Sequence, residues 1–145
     1  MDSYIFCLIS TYVPKHSEYL TFLAGGRLVK EERNGKTYAN GVLHSFEDKP
    51  AEIWDNGTQV WYKKGKIDRN DDLPAVIHAD GTQEWYKNGE PHRDGDLPAV
   101  ISENGIQWWH NYGQFRRDGG LPAVISENGI QIQMWYKYGK RYLPI

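Results

Sequence analysis

The chain has a single cysteine, Cys7, in 145 residues, so no disulfide can form within it. That scarcity points to a reducing compartment such as the cytoplasm. Cys7 itself reads as a small buried hydrophobe in an apolar strand. Long apolar runs are also lacking: the stretch YIFCLIS at residues 4–10 is too short to cross a bilayer. It has neither the basic lead-in nor the cleavage pattern of a secretory signal, so export by that route is not expected. Neither sign of charge dominates, with 17 Lys and Arg against 19 Asp and Glu and a formal net charge of −2. A phosphate backbone needs concentrated positive charge, which argues against nucleic acid as a partner. Hydrophobic residues reach only 39%, yet aromatics reach 14%. A chain that buries a few large rings between neighbouring units fits that balance.

Catalytic and metal-binding patterns are scarce as well. His16, His44, His78, His92 and His110 show no metal-ligand spacing, and only His44 and His92 share a repeat position. The glycines read as turn corners, not as a phosphate loop between strand and helix. No nucleophile–base–orienter set is visible. The expectation is a protein that is not an enzyme and carries no cofactor or metal.

What the chain does have is a period. Pro50, Pro74, Pro98 and Pro122 fall 24 residues apart, and Trp61, Trp85 and Trp109 keep the same step. So do Gly41, Gly65, Gly89 and Gly113. A fixed period in the twenties means supersecondary units stacked in one dimension. Units are read at 33–48, 49–72, 73–96, 97–120 and 121–145, behind an atypical N-terminal cap at 1–32. Within the cap, residues 1–10 read as a strand, 12–23 as a helix or a strand, and LVKEER as a strand or the return leg of a hairpin. End units expose a face that inner units bury, which is why a cap is expected.

Two length changes identify the repeating element. The first copy has two residues fewer between its glycine and tyrosine (Gly35 to Tyr38, against Gly57 to Tyr62), and the last has two more, Ile132 and Gln133. Strand side chains alternate with period 2, so even changes keep every residue on its face. The fold class is therefore all-β: an open, single-layer antiparallel array of β-hairpins. Within 73–96, residues 73–77 form a strand entered through a proline. Asp80-Gly81 makes a two-residue hairpin turn, and residues 82–87 return. A type I′ turn there places Val76 opposite Trp85, Ile77 opposite Glu84 and Val100 opposite Trp109. The turn glycines are Gly57, Gly81, Gly105 and Gly129 at one corner and Gly65, Gly89, Gly113 and Gly139 at the other. The Trp row (Trp61, Trp85, Trp109, Trp135) is expected to be the main buried row, with Tyr62, Tyr86 and Tyr136 secondary.

Two further rows share the step. Arg69, Arg93 and Arg117 form one, and Asp48, Asp72 and Asp96 the other. They read either as a ladder in which each arginine pairs an aspartate beside the next turn, or as a stripe binding an acidic partner or lipid headgroups. Gly120 breaks the aspartate row, which makes Arg117 the arginine expected to be freest. Tyr112, Tyr138 and Tyr142 lie outside the paired aromatic positions and are candidates for a contact surface.

The run Gln83-Glu84-Trp85-Tyr86-Lys87-Asn88-Gly89-Glu90-Pro91-His92-Arg93 resembles MORN-type repeats, β-hairpin units with an aromatic pair and two glycines. The LPAVI and WYK elements look like the variant found in giant DNA viruses of the marseillevirus kind. The chain departs from the commonest pattern in having His-Arg or Arg-Arg where His-Gly is usual, and in its added Leu-Pro strand. The resemblance spans residues 34–145. It implies a scaffold or contact module, and a component of a virus particle or its assembly.

The expected function is a non-enzymatic structural protein that contacts other structural proteins, capsid proteins among them. Self-association through strand edges is expected at the truncated end, 141–145. Its place is the virion if viral, and otherwise the cytoplasm. Two alternatives stay open: a peripheral module binding anionic lipid through the arginines, and a carbohydrate-binding module using the Trp row.

Overall fold

A computed structural model describes residues 30–126, 133–137 and 139–143. The readings made for 1–29, Gly129, Tyr138 and the terminal Pro144-Ile145 lie outside these residues. The described residues are all β. β1 (Lys30–Arg33), β2 (Lys36–Ala39) and β3 (Val42–Leu43) form a three-stranded sheet. β1 runs across the Glu32–Arg33 boundary drawn between cap and repeats.

Each full unit then supplies four short strands. The first has β4 (Glu52–Ile53), β5 (Gln59–Val60), β6 (Tyr62–Lys63) and β7 (Lys66–Ile67). The next has β8 (Val76–Ile77), β9 (Gln83–Glu84), β10 (Tyr86–Lys87) and β11 (Glu90–Pro91). The third has β12 (Val100–Ile101), β13 (Gln107–Trp108), β14 (His110–Asn111) and β15 (Gln114–Phe115), and β16 (Val124–Ile125), β17 (Trp135–Lys137) and β18 (Lys140–Tyr142) close the array. The first two strands of each unit join one seven-stranded antiparallel sheet in the order β4-β5-β8-β9-β12-β13-β16. The last two form separate ribbons, β6-β7, β10-β11, β14-β15 and β17-β18. The chain crosses from sheet to ribbon at the tryptophan, so the expected continuous strand 82–87 is two strands broken at Trp85.

The two hairpins use different turns, and this corrects the expected pairing. Val76 stands opposite Glu84, Ile77 opposite Gln83, and Val100 opposite Trp108, one residue away from the register expected for a type I′ turn. The sheet hairpin has a three-residue loop: His78 N donates to Thr82 O at 2.9 Å and Gly81 N to His78 O at 3.0 Å. Only Gly81 is left-handed there, with φ 93°, whereas a type I′ turn needs two such residues. The Asp80 carboxylate accepts from Thr82 N at 2.8 Å and holds the three-residue form. The ribbon hairpins are the two-residue ones. Asn88 and Gly89, at φ 54° and 88°, form such a turn, and so do Lys64-Gly65 and Tyr112-Gly113.

Parity survives the insertion in the last unit. Met134 bridges Val124, as Trp108 stands opposite Val100 one unit earlier. In the first copy Thr37 takes the tryptophan position, and its N–H still donates to Ala51 O at 2.9 Å.

The core is thin and periodic. Ala51, Ala75, Ala99 and Ala123 are fully buried, next to Val60, Val76 and Val124. Each alanine lies between two chain segments: Ala99 N donates to Trp108 O, and Ala99 O accepts from Trp85 N, both at 2.8 Å. With the backbone held on both sides, a larger side chain has no direction in which to move. Ala99→Leu should therefore lower the unfolding free energy by about 1–3 kcal/mol. The same change at exposed Ala79 should alter it by less than about 0.5 kcal/mol, both read by urea denaturation.

Candidate functional site: the tryptophan ladder and its grooves

The ladder starts from the strand break. Trp61, Trp85 and Trp109 bridge sheet and ribbon, which turns each indole inward; they are 4%, 6% and 5% exposed. A buried indole N–H needs an acceptor. Trp61 Nε1 donates to Asp48 O at 3.0 Å, Trp85 Nε1 to Asp72 O at 2.9 Å, and Trp109 Nε1 to Asp96 O at 2.9 Å. Each of these carbonyls belongs to the turn that leads into the unit. In all three cases the aspartate is left-handed or sits beside a left-handed residue, with Asp48 at φ 55°, Asp72 at 53° and Asp96 at 53°.

An arginine closes each indole. The guanidinium carbons of Arg69, Arg93 and Arg117 lie 3.8, 3.9 and 3.9 Å from the ring centroids of Trp61, Trp85 and Trp109. The same guanidinium groups reach the aspartate side chains. Arg69 donates from Nε and Nη2 to Asp48, both at 2.8 Å, and Arg93 to Asp72 at 2.8 and 2.7 Å. Arg117 reaches Asp96 at 3.3 Å. The bidentate contact holds the carboxyls of Asp48 and Asp72 below their ordinary range, with the arginine hydrogen bond as the largest cause.

This corrects two expectations. Each arginine pairs the aspartate of the turn before its own tryptophan, not the one beside the next turn. Arg117 is held by Asp96, so Gly120 does not free it. Gly120 belongs to the set of Trp135, whose Nε1 donates to Gly120 O at 3.0 Å. In that set Leu143 stands where the arginine would be, and it is 77% exposed. In the first copy Thr37 and Ser45 replace tryptophan and arginine together. The arginine is missing in both end copies: with the tryptophan in the first, and with the aspartate in the last, where Trp135 stays. The arginine side chains are only 12%, 15% and 16% exposed, which leaves little of them to face a ligand.

The tyrosines are half-buried. Tyr62 donates to Glu52 at 3.1 Å and Tyr86 to Glu84 at 2.7 Å. Burial, reinforced by Glu52, pushes the Tyr62 hydroxyl up to about 12, and burial with Glu84 raises Tyr86 as well. Tyr136 donates to Met134 Sδ at 3.8 Å. Of the contact candidates, Tyr112 is 49% exposed, with one face stacked on His92 at 4.1 Å, and Tyr142 is exposed opposite Trp135.

One further row escaped the sequence reading. His44, Asp68 and His92 each accept a backbone N–H from the ribbon turn of the next unit: Lys64 N at 3.0 Å, Asn88 N at 2.8 Å and Tyr112 N at 3.4 Å. The shared repeat position of His44 and His92 carried this signal. Asp68 obscured it, because carboxylate and imidazole do the same job with different letters. Beside these staples run surface grooves, one between each pair of successive turn loops. Among the described residues no cluster of three His, Cys, Asp or Glu is placed to hold a metal, and no helix is long and apolar enough to cross a membrane.

Comparisons with known protein families, with curated proteins and with solved structures find no match to this chain.

Two measurements check the ladder. Arg93→Ala removes a cation–π contact worth about 0.5–2 kcal/mol and an ion pair worth about 0–1 kcal/mol. A total loss of about 1–2 kcal/mol is expected, and Arg93→Lys should recover only part of it because lysine neither stacks flat nor binds bidentately. Equal stability of Arg93→Lys and wild type would discount the stacking. The second concerns pH. Burial lowers the His44 pKa, helped by Lys63 and Lys64, and burial lowers that of His110. Both rings are therefore protonated more easily unfolded than folded. Stability should be full above the ordinary value of 6.5 and fall as pH drops through that value towards the folded pKa of each ring. Thermal melts between pH 7.5 and 5 should show this, and His44→Asn with His110→Tyr should flatten the slope.

Proposed function

We propose that this chain is a non-enzymatic scaffold that makes protein–protein contacts along its length. The viral particle or its assembly is the setting implied by the likeness to MORN-type repeats of giant DNA viruses. The observation that supports the reading is where the repeated polar and aromatic groups go. Indole N–H groups meet turn carbonyls, guanidinium groups meet aspartates and rings, and tyrosine hydroxyls meet glutamates. The chemistry of each unit is directed inward, into its own hairpins and the turn that joins it to the unit before. What repeats outward is relief: turns, grooves and single apolar side chains such as Leu73 and Leu97. Regular relief on a repeating array suits a long partner surface better than a small substrate.

The ladder geometry disfavours both alternatives. An arginine stripe for anionic lipid needs free guanidinium groups, and these lie against tryptophan and aspartate. A glycan platform needs open indole faces, and Trp61, Trp85 and Trp109 are closed by arginine.

The test is quantitative mass spectrometry of what stays bound after a high-salt, mild-detergent wash of the native source. A fixed stoichiometry with other structural proteins is the expected result. Loss of all proteins in salt, or recovery with lipid and no fixed protein partner, would overturn the scaffold reading.

A further inference from the structure

The three staples between ribbons are equivalent in place and unequal in chemistry. At the first junction the Lys64 N–H donates to His44 Nδ1 at 3.0 Å, and at the second the Asn88 N–H donates to Asp68 at 2.8 Å. At the third the Tyr112 N–H donates to His92 Nδ1 at 3.4 Å, the longest of the set. Each donor is the first residue of a two-residue turn, left-handed at φ 51°, 54° and 44°. In such a turn the flanking residues bond each other, so this N–H must find its acceptor elsewhere.

An imidazole accepts at Nδ1 only while that nitrogen carries no proton, so the neutral ring keeps its hydrogen on Nε2. A proton at Nδ1 sets N–H against N–H and ends the staple. A carboxylate behaves otherwise, because it keeps its lone pairs down to about pH 4. The second junction therefore lacks a sensitivity that both of its neighbours have.

The surrounding charges bear on each ring. His44 faces Lys63 and Lys64 from β6 and its turn, with Glu47 and Asp48 lining the same groove. Burial, helped by those two lysines, disfavours a charge on His44 while the first ribbon is closed. His92 holds Asp94 of its own unit at 2.9 Å through Nε2, and Lys87 shares that carboxylate. Asp68 and Arg93 line the groove on one side of His92, and His110 and Arg116 line the groove on the other. Asp94 stays with His92 when the third ribbon moves, so the contact that opening releases is the one from Nδ1 to Tyr112. The third ribbon carries one more ring of this kind. His110 Nδ1 is buried with no hydrogen-bond partner among the described residues, and its ring lies 4.3 Å from Phe115.

We propose that the first and third ribbons are released by acid: as pH falls through the imidazole range their turns come free of the array, while the second ribbon stays stapled. Opening leaves Nδ1 of His44 and of His92 able to take a proton that the closed form refuses, so protonation draws each equilibrium towards the open form. The seven-stranded sheet contains none of the staples, so the array keeps its length and only its relief changes. A surface lying along the ribbons then meets one fixed turn between two loose ones. The device does not rest on the scaffold reading, since it lies within a single chain.

Amide exchange read by NMR on the full chain between pH 7.5 and 5 tests it, with each rate divided by the intrinsic rate at that pH. Protection of the Lys64 and Tyr112 amides should fall by up to about thirtyfold, the ceiling set by an ordinary imidazole at about 6.5. That of Asn88 should change by less than about twofold, because its carboxylate acceptor does not titrate there. Asp68→His should confer the fall on Asn88. His92→Asp should remove it from Tyr112, and the second unit already accepts aspartate at this position. The three wild-type amides decide by themselves whether or not a variant folds. Equal falls at all three would report loosening of the whole array and overturn the proposal. So would pH-independent protection at Lys64 and Tyr112, or a folded His92→Asp variant whose Tyr112 amide responds as before.

Discussion

The hydrogen bond from each indole N–H to a turn carbonyl in the preceding segment is the contact on which the array depends. It is made at 3.0, 2.9, 2.9 and 3.0 Å in four successive units. It fixes the tryptophan at the point where the chain leaves the sheet for the ribbon. It also holds in place a left-handed aspartate that would otherwise be strained. The arginine then needs only to lie on a surface already set, and its charge pairs the side chain of the residue whose carbonyl the indole has taken. Ring, carbonyl, guanidinium and carboxylate form a closed circuit across the junction of two units. Single exposed ion pairs contribute little. This one is made over an aromatic face with the arginine covered and the aspartate half exposed, and three copies of it run through a chain with a small aliphatic core.

Much of this was legible in the sequence, for reasons that can be named. The spacing of proline, tryptophan and glycine gave the unit, and the even length changes gave strands over helices. The buried tryptophan row followed from alternation. The register did not follow, because Asp-Gly is compatible with two loops. Asp80 could have been a left-handed turn residue, but its carboxylate caps Thr82 and lengthens the loop by one. One residue of loop moved every cross-strand partner. The arginine row was visible and its partner row was visible, but the choice of aspartate depends on which way the chain folds back at Trp85, and spacing alone is symmetric. The grooves were hidden for a different reason. They combine residues from two units, so no single copy displays them.

The ends of the array show the same logic by omission. Where tryptophan is absent, at Thr37, the arginine position is Ser45; where the aspartate is Gly120, the arginine position is Leu143. A guanidinium without its ring and carboxylate would be a buried cation lacking compensation. The arginine is therefore present only where both the ring and the carboxylate are, although the tryptophan persists without them at Trp135.

Sheet and ribbons are tied unequally. Along the sheet, every strand from β4 to β16 is paired to the next. Between ribbons the ties are fewer: Gly65 N to Leu43 O at 2.8 Å, Gly89 N to Ile67 O at 2.9 Å and Gly113 N to Pro91 O at 3.0 Å, each beside one of the His44, Asp68 and His92 staples, with Ser45 N to Tyr62 O at 2.8 Å added at the first junction. The body is built like a book, with a stiff spine and pages held by a few stitches at the turns. Its soft mode is fanning: the ribbons spread or close while the spine keeps its length. A surface made of such pages can follow the curvature of whatever it lies against without breaking the ladder that holds it together.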